Sequence, residues 1–350
     1  MASPPATEPS GAPRARSRLW QAIAGLVISI AFLVYALRGV SFREVGTHLR
    51  EANFLWLLLS AALVTATFPL RAVRWRILLA RTDPPPPYRP LWDAVAIGFM
   101  ANNVLPARAG ELVRGWAATN LAGIPFTTAI ASIAVERIFD GVVIVLLMAL
   151  AVVAPGFPAG AVIGTTSLSA LAVTMGEVFV GILVFIAALA RNQARVLPVA
   201  ERLAQRVLPG RFGAKAAGVL EHLAAGASVL HSTRDVVRVL VWSFAVWLTN
   251  TAAFAIGFYA FHIDVPFSAA LVLQGIVAFG VALPSSPGFF GVYEGLSRAS
   301  LGIFGVPGGT AVSFAIGLHL CWFIPITVIG LVILARAGLS LRQLRKEQPA

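Results

Sequence analysis

The sequence predicts an all-α, polytopic integral membrane protein. Of its 350 residues 58% are hydrophobic and 12% charged, with a mean hydropathy of +0.83, whereas roughly a quarter of the residues of an ordinary globular domain are charged. Several apolar runs reach the roughly 20 residues that cross about 30 Å of hydrocarbon as helix. None shows the alternating pattern of an outer-membrane barrel.

The elements follow in chain order. Residues 1–18 read as a disordered tail, rich in Pro, Ser and Ala and ending in Arg14, Arg16 and Arg18. The run from Leu19 to Leu37 begins like a signal peptide, but it is long and no clear small-x-small cleavage site follows, so it reads as a retained first span. A second span over 54–70 gives way to Arg71, Arg74 and Arg76 and to the Pro84–Pro87 linker, an arginine cluster expected on the cytoplasmic side. Further spans are expected at 126–153, 169–190, 238–261 and 310–335. Residues 191–237 are basic, and their apolar positions, Val199, Leu203 and Val207 among them, suggest amphipathic helices on the inner surface, with a plain helical connector as the alternative. Residues 337–350 form a basic cytoplasmic tail.

Two apolar segments are too short to cross. Segment 91–105 would span roughly 22 Å as helix before its break at Pro106, and 292–306 is similar, so both read as arms of re-entrant hairpins. The prediction is therefore about six full spans plus two re-entrant helical hairpins in a single domain over 19–336. Basic residues collect on one side of this layout and place both termini in the cytoplasm, with Arg38, Arg43 and Arg50 as the exception. Each half then reads as spans, hairpin, span, the layout of an inverted repeat. Leu105-Pro106-x-x-x-Gly110-Glu111 is echoed by Leu283-Pro284-x-x-x-Gly288, with Glu294 further on, and interrupted segments at matching places in two halves point to a transporter's central site.

Ionisable groups at membrane depth are the candidate functional residues. Glu136 and Asp140 share a helix face, and Arg137 can pair with Asp140. The fifteen Leu, Ile, Val and Phe residues of 126–153 supply about 7 kcal/mol of insertion energy against about 8–10 for three central charges, so this helix is marginal alone and its polar patch must face protein or water. A network that only locks helices together is the alternative to a substrate or proton role. Arg108 and Arg114 are candidates to hold an anion, because a guanidinium forks onto phosphate oxygens and stays charged at low dielectric. Glu111 lies between them as an anchor, and Asn102 and Asn103 can bond a head group or cap the Pro106 break. In the second hairpin Ser285, Ser286 and Gly288 offer hydroxyls and close backbone approach, while Glu294 is expected to pair with Arg298 four residues on.

Other classes are disfavoured. The net charge of +12 flanks apolar spans without aromatic-interleaved basic motifs, so no nucleic-acid partner is expected. A single cysteine, Cys321, excludes an intrachain disulfide, and five histidines without ligand spacing make a metal site unlikely. No strand and no Lys-Ser/Thr frame the 284–291 loop as a nucleotide site, and no Ser-His-Asp or Cys-His arrangement is evident.

Four motifs occur in order: Arg71-x-x-Arg74-Trp75, Asn103-x-Leu105-Pro106-x-Arg108-x-Gly110-Glu111-x-x-Arg114, Glu136-Arg137-x-x-Asp140, and Pro284-x-x-Pro287-Gly288-x-x-Gly291-x-x-Glu294. Over most of 19–336 the chain resembles the transmembrane region of lysylphosphatidylglycerol synthases, the flippase-like (UPF0104-type) family to which multiple peptide resistance factor belongs. The resemblance implies a helical translocase that moves anionic or aminoacylated lipids, or a lipid-linked carrier, between leaflets of a bacterial inner membrane. It implies no cofactor. Only about fifteen residues follow the last span in this sequence, so neither the aminoacyl-transferase domain of those synthases nor an enzymatic role is expected. Partner classes are anionic phospholipids or polyprenyl-linked lipids, a lipid-modifying enzyme and a second copy of the chain. Two other functions compete: a proton-coupled small-solute transporter using Glu136 and Asp140, and a non-transporting membrane partner of a lipid-modifying enzyme.

Overall fold

A computed structural model describes residues 12–80, 82–105, 109–158, 160, 162–163, 166–167, scattered positions within 170–192, 193–207, 210, 233–281 and 285–340. The described chain is helical apart from a two-stranded hairpin of two residues each, Val162–Ile163 with Thr166–Ser167. Helix α1 (Ala12–Leu37) turns by 80° into α2 (Phe42–Glu51). Part of the expected N-terminal tail is thus already helical. Helix α3 spans Phe54–Leu78, α4 Tyr88–Val104, α5 Gly110–Ala122 and α6 Phe126–Val153. After the strands come α7 (Gln193–Val207), α8 (Thr233–Ala260), α9 (Phe267–Gly280), a 3-10 turn at Pro287–Phe289, α10 (Val292–Gly302) and α11 (Gly308–Arg336). The span expected at 169–190 and most of 208–232 fall largely outside the described residues, as do both prolines of the echoed breaks, Pro106 and Pro284.

Helices α3, α8 and α11 are long and apolar enough to cross a membrane, and α1 with α2 makes a fourth if the bent pair is one span. Only 22%, 39% and 33% of their most apolar windows are buried inside the protein. In water such exposed apolar surface would be untenable; in lipid it is the solvated state. Helix α6 is as long, and its three central charges are what set it apart.

The two halves repeat one pattern of long helix, two-helix hairpin, long helix: α3, α4–α5, α6 and α8, α9–α10, α11. Their packing is reciprocal. Helix α11 lies against α4 of the first hairpin, while α6 lies against α9 of the second; α3 meets α11 as α8 meets α6. The corresponding helices α3 and α8 pack on each other and run antiparallel: the Asn53 N–H donates to the Ala260 carbonyl at 2.9 Å, and seven residues on, the Ser60 hydroxyl donates to the Ala253 carbonyl at 2.8 Å. Two large apolar cores result, one around Trp75, Ile97, Met100 and Phe139 that also takes in Ile326, Ile333 and Leu334 of α11, the other around Phe254, Phe258, Tyr293 and Phe314.

The first hairpin closes unusually tightly. Gly98 on α4 faces Gly110 and Arg114 on α5, and a Cβ at Gly98 would stand 2.7 Å from the Arg114 Cβ and 2.9 Å from the Gly110 carbonyl oxygen. Asn102 holds the turn, its Oδ1 accepting from the Gly110 N–H at 2.9 Å. In the second hairpin the left-handed Gly291 (φ +86°) starts α10, and the Glu294 side chain reaches back to accept its N–H at 2.6 Å. Because a side chain at Gly98 must pry α4 from α5, Gly98→Val is expected to cost about 1–3 kcal/mol. Gly46→Ala on α2, where a Cβ meets nothing within 4 Å, is expected to leave stability unchanged or slightly raised. Thermal unfolding of the two variants in detergent checks this, and equal melting points would contradict it.

Candidate functional site

Residues 71, 74 and 75 share one face of α3, and that face points at α6. The helix does not end at residue 70. It continues to Leu78, and Arg71 and Arg74 are buried, 6% and 0% exposed, rather than presented to the cytoplasm. Only Arg76 of the expected surface cluster is exposed. The reason is charge pairing: two guanidiniums at this depth are tolerable because α6 brings Asp140 and Glu136 to them.

The contacts form one lattice. Arg74 forks onto Asp140, with Nη2 to Oδ2 at 3.3 Å, touches Glu136 Oε1 at 3.0 Å and donates to the Ser243 hydroxyl of α8 at 2.8 Å. Arg114 of α5 makes a bidentate pair with Glu136, 2.8 and 2.9 Å. Its guanidinium lies 3.8 Å over the Trp75 ring, whose indole N–H donates to the Ser132 hydroxyl at 2.8 Å. Arg137 reaches Glu136 at 2.6 Å and Asp140 at 3.2 Å, and the Trp247 indole of α8 donates to Asp140 Oδ1 at 2.7 Å. Every oxygen of the two buried carboxylates has a donor. With Arg71 and the partly exposed Glu111, four guanidiniums face three carboxylates.

A cavity of about 360 Å³ opens beside this lattice where the two halves meet. Arg71, Arg114, Arg137 and Asp140 form one wall. Asn250 of α8 and Gln274 of α9, bonded to each other, lie on its second-half side with Trp247, Tyr293 and Trp322. The cavity thus combines a charged side from the first half with neutral polar and aromatic groups from the second.

The structure sorts the predicted residues. Asn102, Asn103, Glu111, Arg114, Arg137 and Asp140 line the cavity, and Glu136 stands directly behind Arg114. Glu111 contacts Arg137 at 3.9 Å, and Asn103 ties α4 to α11 through Thr327 Oγ1 at 2.7 Å. Arg108 lies outside the described residues. The second-hairpin group is not on the cavity wall. The Ser286 N–H bonds Ser29 Oγ of α1 at 2.7 Å, Ser285 is buried close to Gly25 of the same helix, and the Gly288 carbonyl meets His319 Nε2 at 2.8 Å. Glu294 does not pair with Arg298. It bonds His319 Nδ1 of α11, while Arg298 donates to the Tyr35, Ala36 and Arg38 carbonyls that end α1. A local i,i+4 rule was outweighed by three unsatisfied carbonyls at a helix end.

Sequence reasoning passed over Trp247, Asn250, Gln274 and His319 as site residues. The signal existed for the amides, since a polar side chain inside an apolar span marks an interior position.

Residues 22–330 match the family described as the lysylphosphatidylglycerol synthase TM region. The chain belongs to that family. A protein named glycosyltransferase AglD, from Haloferax volcanii, is 30% identical over 301 residues, which cover 78% of this chain and 47% of that protein. The chain therefore spans about half the length of that relative. A UPF0104 membrane protein from Methanothermobacter thermautotrophicus is 24% identical over 288 residues, 79% of this chain and 82% of that one. No solved structure matches. In this member of the lysylphosphatidylglycerol synthase TM-region family, the Arg71-x-x-Arg74-Trp75 and Glu136-Arg137-x-x-Asp140 motifs meet in the buried lattice, joined by Arg114.

Removing one member of a buried pair leaves an uncompensated charge. Arg74→Met, which strips Asp140 and Glu136 of a shared partner, is expected to cost about 3–5 kcal/mol. Arg137→Met should cost less, because its side chain is 38% exposed. Thermal unfolding of the purified variants measures the difference; an equal loss from both would contradict the ranking.

Proposed function

We propose that this multi-pass membrane protein moves an anionic or aminoacylated lipid, or a lipid-linked carrier, between the leaflets of a bacterial cell membrane. The observation that carries the reading is the cavity at the junction of the two halves, walled by a buried arginine–carboxylate lattice with one excess positive charge. A head group needs a polar path past hydrocarbon, and charged side chains at that depth belong to water-filled or substrate-filled space. The exposed apolar flanks of α3 and α11 leave room for acyl or polyprenyl chains in the surrounding lipid.

The antiparallel α3–α8 pair and the reciprocal packing support an inverted repeat, in which α4–α5 and α9–α10 are re-entrant hairpins and both termini are cytoplasmic. In this arrangement the 19–336 unit is a single translocation domain, alternately open to either side. A proton-coupled carrier that uses Glu136 and Asp140 is less well supported, since each carboxylate is held by several guanidiniums.

The likeness to a protein named as a glycosyltransferase favours one second reading, a membrane partner of an enzyme that transfers sugars to lipid carriers. Transport separates the two. In proteoliposomes the protein is expected to move labelled phospholipid or polyprenyl phosphate across the bilayer, and Asp140→Asn to slow this at least about tenfold, a barrier change of about 1.4 kcal/mol. Absence of movement with every lipid, under ion gradients of either sign, favours the partner reading.

A further inference from the structure

Arg71 is the least neutralised guanidinium of the cavity wall. Its Nε and Nη1 have no hydrogen-bond acceptor, and the carboxylate nearest to it, Asp140 Oδ2, is 3.7 Å away, too far for a hydrogen bond. The side chain is buried, stacked 4.9 Å over Trp247 and 5.3 Å over Phe99, and it borders the cavity. A guanidinium keeps its charge in such surroundings and presents a planar fork suited to two oxygens of one phosphate.

The carboxylates are in the opposite condition. Both oxygens of Asp140 are taken by Arg74, Arg137 and Trp247, and both of Glu136 by Arg114, Arg74 and Arg137. Glu111 is the remaining acid on the described cavity wall; its side chain is 42% exposed and contacts Arg137. Among the described residues, no buried carboxylate is free to receive an ammonium. Facing the charged wall are Asn250 and Gln274, amides that both donate to and accept from hydroxyls.

We infer that the cavity is built for a net-negative lipid head group, a phosphate with neutral hydroxylated substituents, whose phosphate is gripped by Arg71, and that it discriminates against aminoacylated head groups. The inference rests on the lipid reading above and narrows it. An added lysyl or alanyl ammonium would meet an excess of positive charge and would be desolvated without a counter-ion.

The test is lipid binding to the full-length protein in neutral detergent, read by native mass spectrometry with phosphatidylglycerol, lysyl-phosphatidylglycerol, phosphatidylcholine and inorganic phosphate as probes. Phosphatidylglycerol is expected to bind at least about tenfold more tightly than either lysyl-phosphatidylglycerol or phosphatidylcholine, since like charges brought together in a site cost several-fold in affinity or more. Arg71→Gln should weaken phosphatidylglycerol about thirtyfold, the loss typical of truncating one partner of a buried charge pair. Arg71→Lys, which keeps the charge and loses the fork, should fall between. Equal or tighter binding of the lysylated lipid overturns the inference, as does a stably folded Arg71→Gln protein that binds phosphatidylglycerol like the wild type. Inorganic phosphate competing as well as phosphatidylglycerol would make this a free-anion site and overturn the lipid source. Selective binding without any transport in vesicles removes the flipping reading and leaves the site standing; transport that prefers the lysylated lipid does the reverse.

Discussion

The Arg74 guanidinium, held between Asp140 and Glu136, is the contact on which the arrangement of the first half depends. Four helices converge on it. α3 supplies the cation, α6 the two anions, α5 answers with Arg114 on Glu136, and α8 closes the lattice with Ser243 and Trp247. Of this set α6, with three central charges, is the helix least comfortable in hydrocarbon by itself. Mutual neutralisation turns that liability into an address, because the charges fit only one another. Replacing buried ion pairs by apolar residues often stabilises a protein, whereas removing one partner alone leaves the other charge buried and uncompensated.

The two halves solve the same mechanical problem with different chemistry. In the first, Arg114 of the hairpin's second helix is bonded to Glu136 of the long helix that follows; in the second, Glu294 of the hairpin's second helix is bonded to His319 of its long helix. Each contact pins a short helix to a long one. The first is an arginine–carboxylate fork next to the cavity. The second is enclosed by aromatic rings, with Phe290 and Tyr293 each 4.5 Å from the imidazole, and tied to the backbone turn through the Gly288 carbonyl. Reciprocal packing thus coexists with an asymmetric distribution of charge, and the cavity inherits that asymmetry.

Much of this architecture was legible in the chain. Apolar length marks α3, α8 and α11, and the cost of Glu136, Arg137 and Asp140 within one apolar run already requires them to face protein or water. The short arm 91–105 ahead of residue 106 suggests a hairpin, and α4 and α5 do pack on each other as two helices. What escaped was set by distant partners. Arg71 and Arg74 follow an apolar run and look like the basic flank of a span, and nothing nearby in sequence shows that Asp140 pairs with Arg74 or that Arg71 is buried beside it. Glu294 has an arginine four residues on, yet its partner is His319, brought to it by packing of α10 on α11. Asn102 offered two roles, head-group ligand or turn cap; it caps Gly110 and still borders the cavity.

The order of the lattice members along the chain has a consequence for how the protein is made. Every charged member, from Arg71 to Asp140, precedes Val153, and the second half contributes only the neutral donors Ser243 and Trp247. A chain emerging from its N-terminus therefore holds all the opposing charges before α8 is synthesised. The arginines of α3 and the acids of α6 lie fewer than a hundred residues apart, so their charges can be matched without any charged residue of the later helices. The contacts between opposite charges thus lie wholly within the first half, and what the second half adds to them is neutral.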